Sequence, residues 1–242
     1  MRRQLLTVLI LLVLGMACTS QETAVAPVKD EISLQQYATE PDSATSALLD
    51  KYRSRYDEVM GERIANVARP LEFSSPESSL GNLVADAIRS RASRESRSFV
   101  NLALIDEQSF KLTLPEGELT RGDVLQFMPY ENHLILLKLR GDQVYNLTQE
   151  IASRGGVPVS GLRFKLDGER AQGVLINSGI IDTDKTYWLA TSSWIADGGA
   201  GFDMLRNPVE RVDLDLSIRT LYLDYFKERN VINPEPDGRI RE

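Results

Sequence analysis

TRGDVLQFMPYENHLILLKLRGDQVYNLTQEI, residues 120–151, changes hydrophobic period twice, and those changes decide the fold class. Thr120 places a side-chain acceptor ahead of a short amphipathic run, so the stretch from Thr120 to Phe127 is predicted to be a short helix capped by Thr120. Pro129-Tyr130-Glu131-Asn132 follows as a loop, because proline does not continue a helix. Asn132 to Leu139 is then strongly apolar, the pattern of a strand covered on both faces. Gly141-Asp142 ends that strand, and Val144, Leu147 and Ile151 return to helical spacing.

Outward from this stretch the same alternation continues. Upstream, Leu48, Leu49, Tyr52, Tyr56, Val59 and Met60 fall on one helical face, and Ile64 to Ala68 reads as a short strand. Leu80, Leu83, Val84, Ala87 and Ile88 form a helical stripe with Ser78 or Ser79 as N-cap, and Phe99 to Ile105 is an apolar run predicted to be a buried strand. Downstream, short strands are predicted near Leu162–Leu166, Gly173–Asn177 and Thr186–Ala190. A last helix carries Ile218, Leu221, Tyr222, Tyr225 and Phe226 on one face. Mixed helices and strands of this kind predict an α+β fold: a single mixed-sheet domain with flanking helices.

The first residues, MRRQLLTVLILLVLGMAC, have a different logic. Arg2 and Arg3 precede an apolar run of about ten residues, Leu5 to Leu14, where a spanning helix needs roughly 20. Residues 1–17 therefore read as a secretory signal. Cys18, the only cysteine, follows Gly15-Met16-Ala17 and resembles the lipidation site of a bacterial lipoprotein, with the leucine one place further upstream than usual. An ordinary signal peptide with an incidental cysteine is the competing reading. Residues 18–45 are polar and read as a tether with one short helix around Ile32 to Tyr37, leaving 46–242 as the folded domain. The expected location is thus outside the cytoplasm, lipid-anchored to a bacterial membrane on its periplasmic or outer-surface side. Removing the two arginines of the signal takes the formal charge from −7 to −9, an acidity that argues against nucleic acid as a partner.

Most catalytic chemistries lack their residues here. The sole histidine, His133, opens an apolar strand, whereas hydrolytic metal sites draw on several histidines and carboxylates, so no metal ligand is assigned. There is no G-x-S-x-G elbow, no thiol besides Cys18, no phosphate-binding P-loop and no G-x-G-x-x-G, so no catalytic residue is assigned either. What remains is aromatics beside loop glycines. Tyr130 precedes the apolar strand, and Trp194 opens WIADGGAGF, residues 194–202. Two flat side chains on loops can sandwich a base at roughly 1–3 kcal/mol per stacked ring, or they can simply pack on the core.

Taken in order, ESSLGNLVADAI (77–88), LPEGELTRGDVLQFMPYEN (114–132), LRGDQVYNL (139–147), VSGLRF (159–164), DTDKTYWLAT (182–191) and WIADGGAGFDML (194–205) resemble the C-terminal, substrate-binding domain of the 5′-nucleotidase and UDP-sugar hydrolase family. The resemblance runs from about Thr45 to the closing Gly238–Ile240. In that family an N-terminal metallophosphatase domain with two metal ions hydrolyses, and the C-terminal domain grips the nucleoside. The resemblance implies a nucleoside- or nucleotide-binding half that needs no cofactor of its own. Divalent metals are then expected in a separately encoded metallophosphatase partner.

Carried over by position, Tyr130 and Trp194 take the places of the family's aromatic clamp and Asn132 that of its loop asparagine. Gly198 and Gly199 shape the second loop, and Lys111 stands in for an arginine facing phosphate. Departures are plain. Asp106-Glu107-Gln108-Ser109 replaces an asparagine and three glycines, and Lys111 loses the bidentate fork of arginine. Ser74 stands where many members have arginine, and Ala200 stands where an aspartate binds the ribose hydroxyls. The two acids are expected to repel phosphate; Asp197 sits three residues before Ala200, and compensation by it is not expected. Three readings follow: the binding half of a split phosphohydrolase, a non-enzymatic lipoprotein whose degenerate site serves as scaffold or interaction module, and a self-sufficient hydrolase.

Overall fold

The computed structural model describes residues 43–111 and 113–242. Cys18, the signal, the short helix expected near Ile32–Tyr37 and nearly all of the tether lie outside the described residues. By contacts the chain divides into two units, residues 1–48 and 49–242, and only the second is described as a body. Among the described residues no helix is long and apolar enough to cross a membrane.

In chain order the elements are α1 (Ser43–Met60), β1 (Arg63–Val67), α2 (Ser79–Ser96), β2 (Leu102–Leu104), β3 (Gly117–Thr120), α3 (Arg121–Phe127), β4 (His133–Arg140) and α4 (Gly141–Ser153). They continue with β5 (Val159–Ser160), β6 (Leu162–Asp167), β7 (Arg170–Ile176), β8 (Gly179–Ile180), β9 (Thr186–Ser192) and α5 (Ser193–Ala196). The last are β10 (Glu210–Ser217), α6 (Ile218–Arg229), β11 (Val231–Ile232) and β12 (Ile240–Arg241). The strands form three sheets, ordered β11-β1-β3, β10-β4-β9-β2-β5 and β12-β6-β7-β8. The five-stranded sheet is mixed: β2 and β9 run parallel, the other neighbours antiparallel. This is the α+β architecture that the changes of period imply.

The central strand follows from its composition. Leu134, Ile135, Leu136, Leu137 and Leu139 of β4 are all buried, so both faces of the strand are covered, as a continuous apolar run requires. In α2 the stripe Leu80, Leu83, Val84, Ala87 and Ile88 is buried in full. Each fully buried large aliphatic among them is worth about 1.5–3 kcal/mol. The Ser78 hydroxyl accepts from Gly81 N at 3.0 Å and starts that helix. Thr120 and Asp123 form a reciprocal capping box on α3, as its place in the sequence predicts.

Two expected strands have different bounds. The buried strand over Phe99–Ile105 is shorter, Leu102–Leu104, and Phe99 is 67% exposed. The strand near Gly173–Asn177 runs instead from Arg170 to Ile176, with a bulge at Gly173, φ +62°: Gly173 and Val174 together face Phe164 of β6. The helix expected over Leu48–Met60 is present as α1, and its apolar residues Leu48, Leu49, Tyr52, Tyr56 and Val59 are exposed.

Candidate functional site

Four of the six candidate residues meet around one cleft. Lys111, Tyr130, Asn132 and Trp194 line a concavity of about 630 Å³, with Gln108 and Ser109 beside them. Tyr130 and Trp194 are 41% and 37% exposed, too open for core rings. They make no ring contact with each other, whereas the buried rings nearby do: Phe110 stacks on Phe127 with centroids 4.7 Å apart.

Each ring is held by its own scaffold. The Tyr130 loop is pinned from below by Arg219 of α6, which donates to the carbonyls of Met128 and Pro129. Asn132 ties this loop to the second one. Its carbonyl accepts from Ile218 N at 2.8 Å, and its side-chain oxygen accepts from Ser193 Oγ at 3.4 Å. Trp194 sits in the first turn of α5, which is capped by Ser192 Oγ accepting from Ile195 N. Lys111 N donates to Phe127 O at 3.0 Å, and its ammonium stands 5.2 Å from the Tyr130 ring centroid, a cation–π distance.

Gly198 and Gly199 do not line the cleft; they shape its wall. A Cβ on Gly199 would lie 2.5 Å from carbons of the Trp194 indole, so only glycine lets that ring lie down. Gly198 has φ +87°, and a Cβ there would meet the Arg206 guanidinium at 2.3 Å. Ala200 adopts φ +53°, a left-handed conformation that costs an alanine roughly 1–2 kcal/mol. Arg154 holds this strained turn: it donates to the carbonyls of Ala200 and Gly201 and lies 4.0 Å over the Phe202 ring.

The electrostatics differ from the simple expectation. Asp106 is buried, and its carboxylate accepts from Gln108 N at 2.8 Å, capping the turn Glu107–Ser109. Desolvation pushes its pKa up, against the pull of that hydrogen bond and of Arg154. Neither Asp106 nor Glu107 lines the aromatic cleft; the carboxylate on its wall is that of Glu131, exposed and 3.8 Å from Arg219. Glu107 opens instead on a small crevice beside Ser74 and Glu77. Asp197 is not free to replace the missing carboxylate of Ala200, because Arg211 of β10 holds it at 2.6 Å. His133 is exposed at the start of β4. Among the described residues no three histidine, cysteine, aspartate or glutamate side chains converge to hold a metal ion.

Several residues of the site escape a reading of the sequence. Arg154, Arg219 and Ser193 act through contacts far along the chain, and no local pattern marks them. Ser109 is 1% exposed, lines the cleft, and its hydroxyl has no hydrogen-bond partner. Tyr130 and Trp194 bring two partly exposed rings to one cleft, with the Lys111 ammonium and the Asn132 side chain beside them, while the Ser109 hydroxyl lies buried under its surface.

Residues 59–207 match the family model described as 5′-nucleotidase, C-terminal domain. A trifunctional nucleotide phosphoesterase protein of Bacillus subtilis is 24% identical over 226 residues, covering 84% of this chain and 15% of that protein. An apyrase of Anopheles gambiae is 28% identical over 173 residues, covering 64% of this chain and 30% of its own length. Among solved structures, the 5′-nucleotidase precursor of Thermus thermophilus superposes with a TM-score of 0.68 at 28% identity. That match covers 82% of this chain and 42% of the precursor. The chain thus spans well under half the length of these relatives, and the part it matches is one domain of them. By the match over residues 59–207, this chain belongs to the 5′-nucleotidase C-terminal domain family.

Proposed function

We propose that this chain is the nucleoside- or nucleotide-binding half of a 5′-nucleotidase-type phosphohydrolase, with the metal-dependent hydrolysis carried out by a separate metallophosphatase polypeptide. The observation that carries this reading is the meeting of Tyr130, Trp194, Asn132 and Lys111 around one cleft. A base stacks between the two rings, at roughly 1–3 kcal/mol per ring. The Asn132 amide meets its polar edge, and Lys111 supplies charge toward a phosphate. The glycine loop keeps the scaffold without a ribose carboxylate, a loss of about 1.5–3 kcal/mol for a hydrogen bond to a charged group. The N-terminal pattern supports an exported, lipid-anchored protein, and the Thermus relative is described as a precursor.

Calorimetric titration of the chain with adenosine, AMP and UDP-glucose tests the binding half of the proposal. Binding of both adenosine and AMP, AMP the tighter through Lys111 and both weakened in Trp194→Ala, is the expected result. Mixing with a metallophosphatase and divalent metal is then expected to give AMP hydrolysis that neither protein shows alone. The strained Ala200 turn and the Arg211-bound Asp197 favour the second reading, a scaffold with a degenerate site. Absence of binding at millimolar ligand, with and without the metallophosphatase, would establish that reading instead.

A further inference from the structure

A second concavity, of about 650 Å³, shares no lining residue with the aromatic cleft. It lies between the middle of α2, the β5–β6 junction, the β7–β8 turn and the end of α6. Four arginines line it, Arg89, Arg163, Arg229 and Arg239, against two carboxylates, Asp86 and Asp237. Arg239 is engaged by both carboxylates, at 2.9 Å each, and Arg163 shares Asp237 at 3.4 Å. Two arginines are left over, in a chain whose formal charge is −7. A cationic concavity in an acidic protein concentrates field and gathers anions.

The two surplus guanidinium groups are fixed rather than loose. Arg89 Nη1 donates to Asn177 Oδ1 at 2.8 Å and toward Asn101 O at 3.4 Å, while its Nε and Nη2 have no protein partner among the described residues. Arg229 lies 3.5 Å over the Tyr225 ring and makes no ion pair or hydrogen bond among the described residues. A stacked guanidinium keeps all its in-plane N–H groups available for an oxyanion. Ser90 and Ser178 add hydroxyls, and Phe99 at the rim offers an unpartnered ring, 67% exposed.

We propose that this cavity binds a phosphate-bearing small molecule, its oxyanion between Arg89 and Arg229 and its organic part against Phe99. The site is independent of base binding in the aromatic cleft. A soluble phosphate ester and a phospholipid headgroup share this chemistry.

The test is calorimetry of the full chain with phenyl phosphate, glycerol phosphate and inorganic phosphate in metal-free, low-salt buffer. Phenyl phosphate binding tighter than inorganic phosphate, weakening on addition of salt, is the expected result and assigns a soluble ester. Binding to vesicles containing phosphatidic acid that is lost in Arg229→Gln, with glycerol phosphate and phenyl phosphate no tighter than inorganic phosphate, would keep the phosphate site and assign it to a lipid headgroup. Arg229→Gln and Arg89→Gln are each expected to lower affinity about tenfold, the loss of one charge-assisted contact. Tyr130→Ala is expected to leave it unchanged. Arg89→Gln also removes two internal hydrogen bonds, so its melting temperature is measured alongside; Arg229 makes only a ring contact, so Arg229→Gln tests the site without disturbing the fold. No binding at millimolar ligand overturns the proposal. So does affinity that survives both arginine substitutions but falls in Tyr130→Ala.

Discussion

Gly199 and Trp194 show how a residue without a side chain can set a binding surface. The indole rests where a Cβ of residue 199 would stand, 2.5 Å from its ring carbons. Gly199→Ala must therefore lift the ring. Adenosine affinity is expected to fall about tenfold, the loss of roughly one stacking contact of ~1–3 kcal/mol, with a shift in tryptophan emission. Affinity within twofold of wild type would mean that Trp194 does not form the wall a ligand meets. Asp106 gives a second test at this scale. Burial raises its pKa above the ordinary 3.8, so the folded state holds the proton more tightly than the unfolded one. The contribution of Asp106 to stability is then expected to fall as pH rises from about 3.8 through the raised value, and to level off above it. Asp106→Asn keeps an oxygen to cap Gln108 N and removes the buried charge. Its melting temperature is expected to be less pH-dependent in that window and at least equal to wild type at pH 7. A parallel pair of curves would place the pH dependence elsewhere.

At the scale of elements, the loop Gly198–Phe202 is held from outside itself by Arg154, at the end of α4. Arg154→Gln removes donors from two carbonyls and the contact with Phe202. A loss of about 1.5–3 kcal/mol is expected, the range for hydrogen bonds to a charged group, along with faster amide exchange at 198–202 in native-state hydrogen exchange. Unchanged protection there would show that the turn is self-supporting. This dependence explains what the sequence does not reveal. The caps of α2 and α3 and the apolar β4 are written locally, in Ser78, Thr120 and residues 134–139, and all are legible in the residues themselves. The strand β10 is also written locally, as Val212, Leu214 and Leu216 alternating with Asp213 and Asp215, but only half-buried positions mark it and it lies at a sheet edge. The acids at 106–107 mislead because their meaning depends on which way they face. One turns inward to cap its own turn, which composition does not encode. Tyr130 and Asn132 are legible as loop residues, whereas Trp194, expected on a loop, stands in the short helix α5; their meeting depends on Ser193 and Arg219, paired across 61 and 90 or more residues of chain.

Across the whole molecule, the last residues close the domain over the start of α2. Glu77 accepts from Asn82 Nδ2 at 2.6 Å and from Asp237 N at 2.8 Å, while Ile240 pairs with Phe164 of β6. Arg239 is the centre of this closure: its side chain is 9% exposed, and it reaches Asp86, Asp237 and Val159 O. Burial alone would raise the Asp237 pKa, but its hydrogen bonds to Arg239, with the Arg239 and Arg163 charges, win and hold it below the ordinary 3.8. A carboxylate stabilised in this way adds stability above its unfolded pKa and loses it as pH falls through the lowered value. Arg239→Met keeps volume but leaves Asp86 and Asp237 without their shared cation. Removing one partner of a buried pair costs about 3–5 kcal/mol, and because both carboxylates are 42% exposed the expected loss here is nearer ~2–3 kcal/mol. Denaturant unfolding at pH 7 is expected to show that loss as a lower midpoint with an unchanged slope. Part of the gap to wild type is expected to close as pH drops below about 3.8 and Asp237 protonates. If the midpoints coincide at pH 7, the closing segment is an appendage and the domain is held by its sheets alone. If they differ by the expected amount, residues 237–241 are part of the folding unit, and a chain shortened before Asp237 would lose the lock on Glu77 as well as β12.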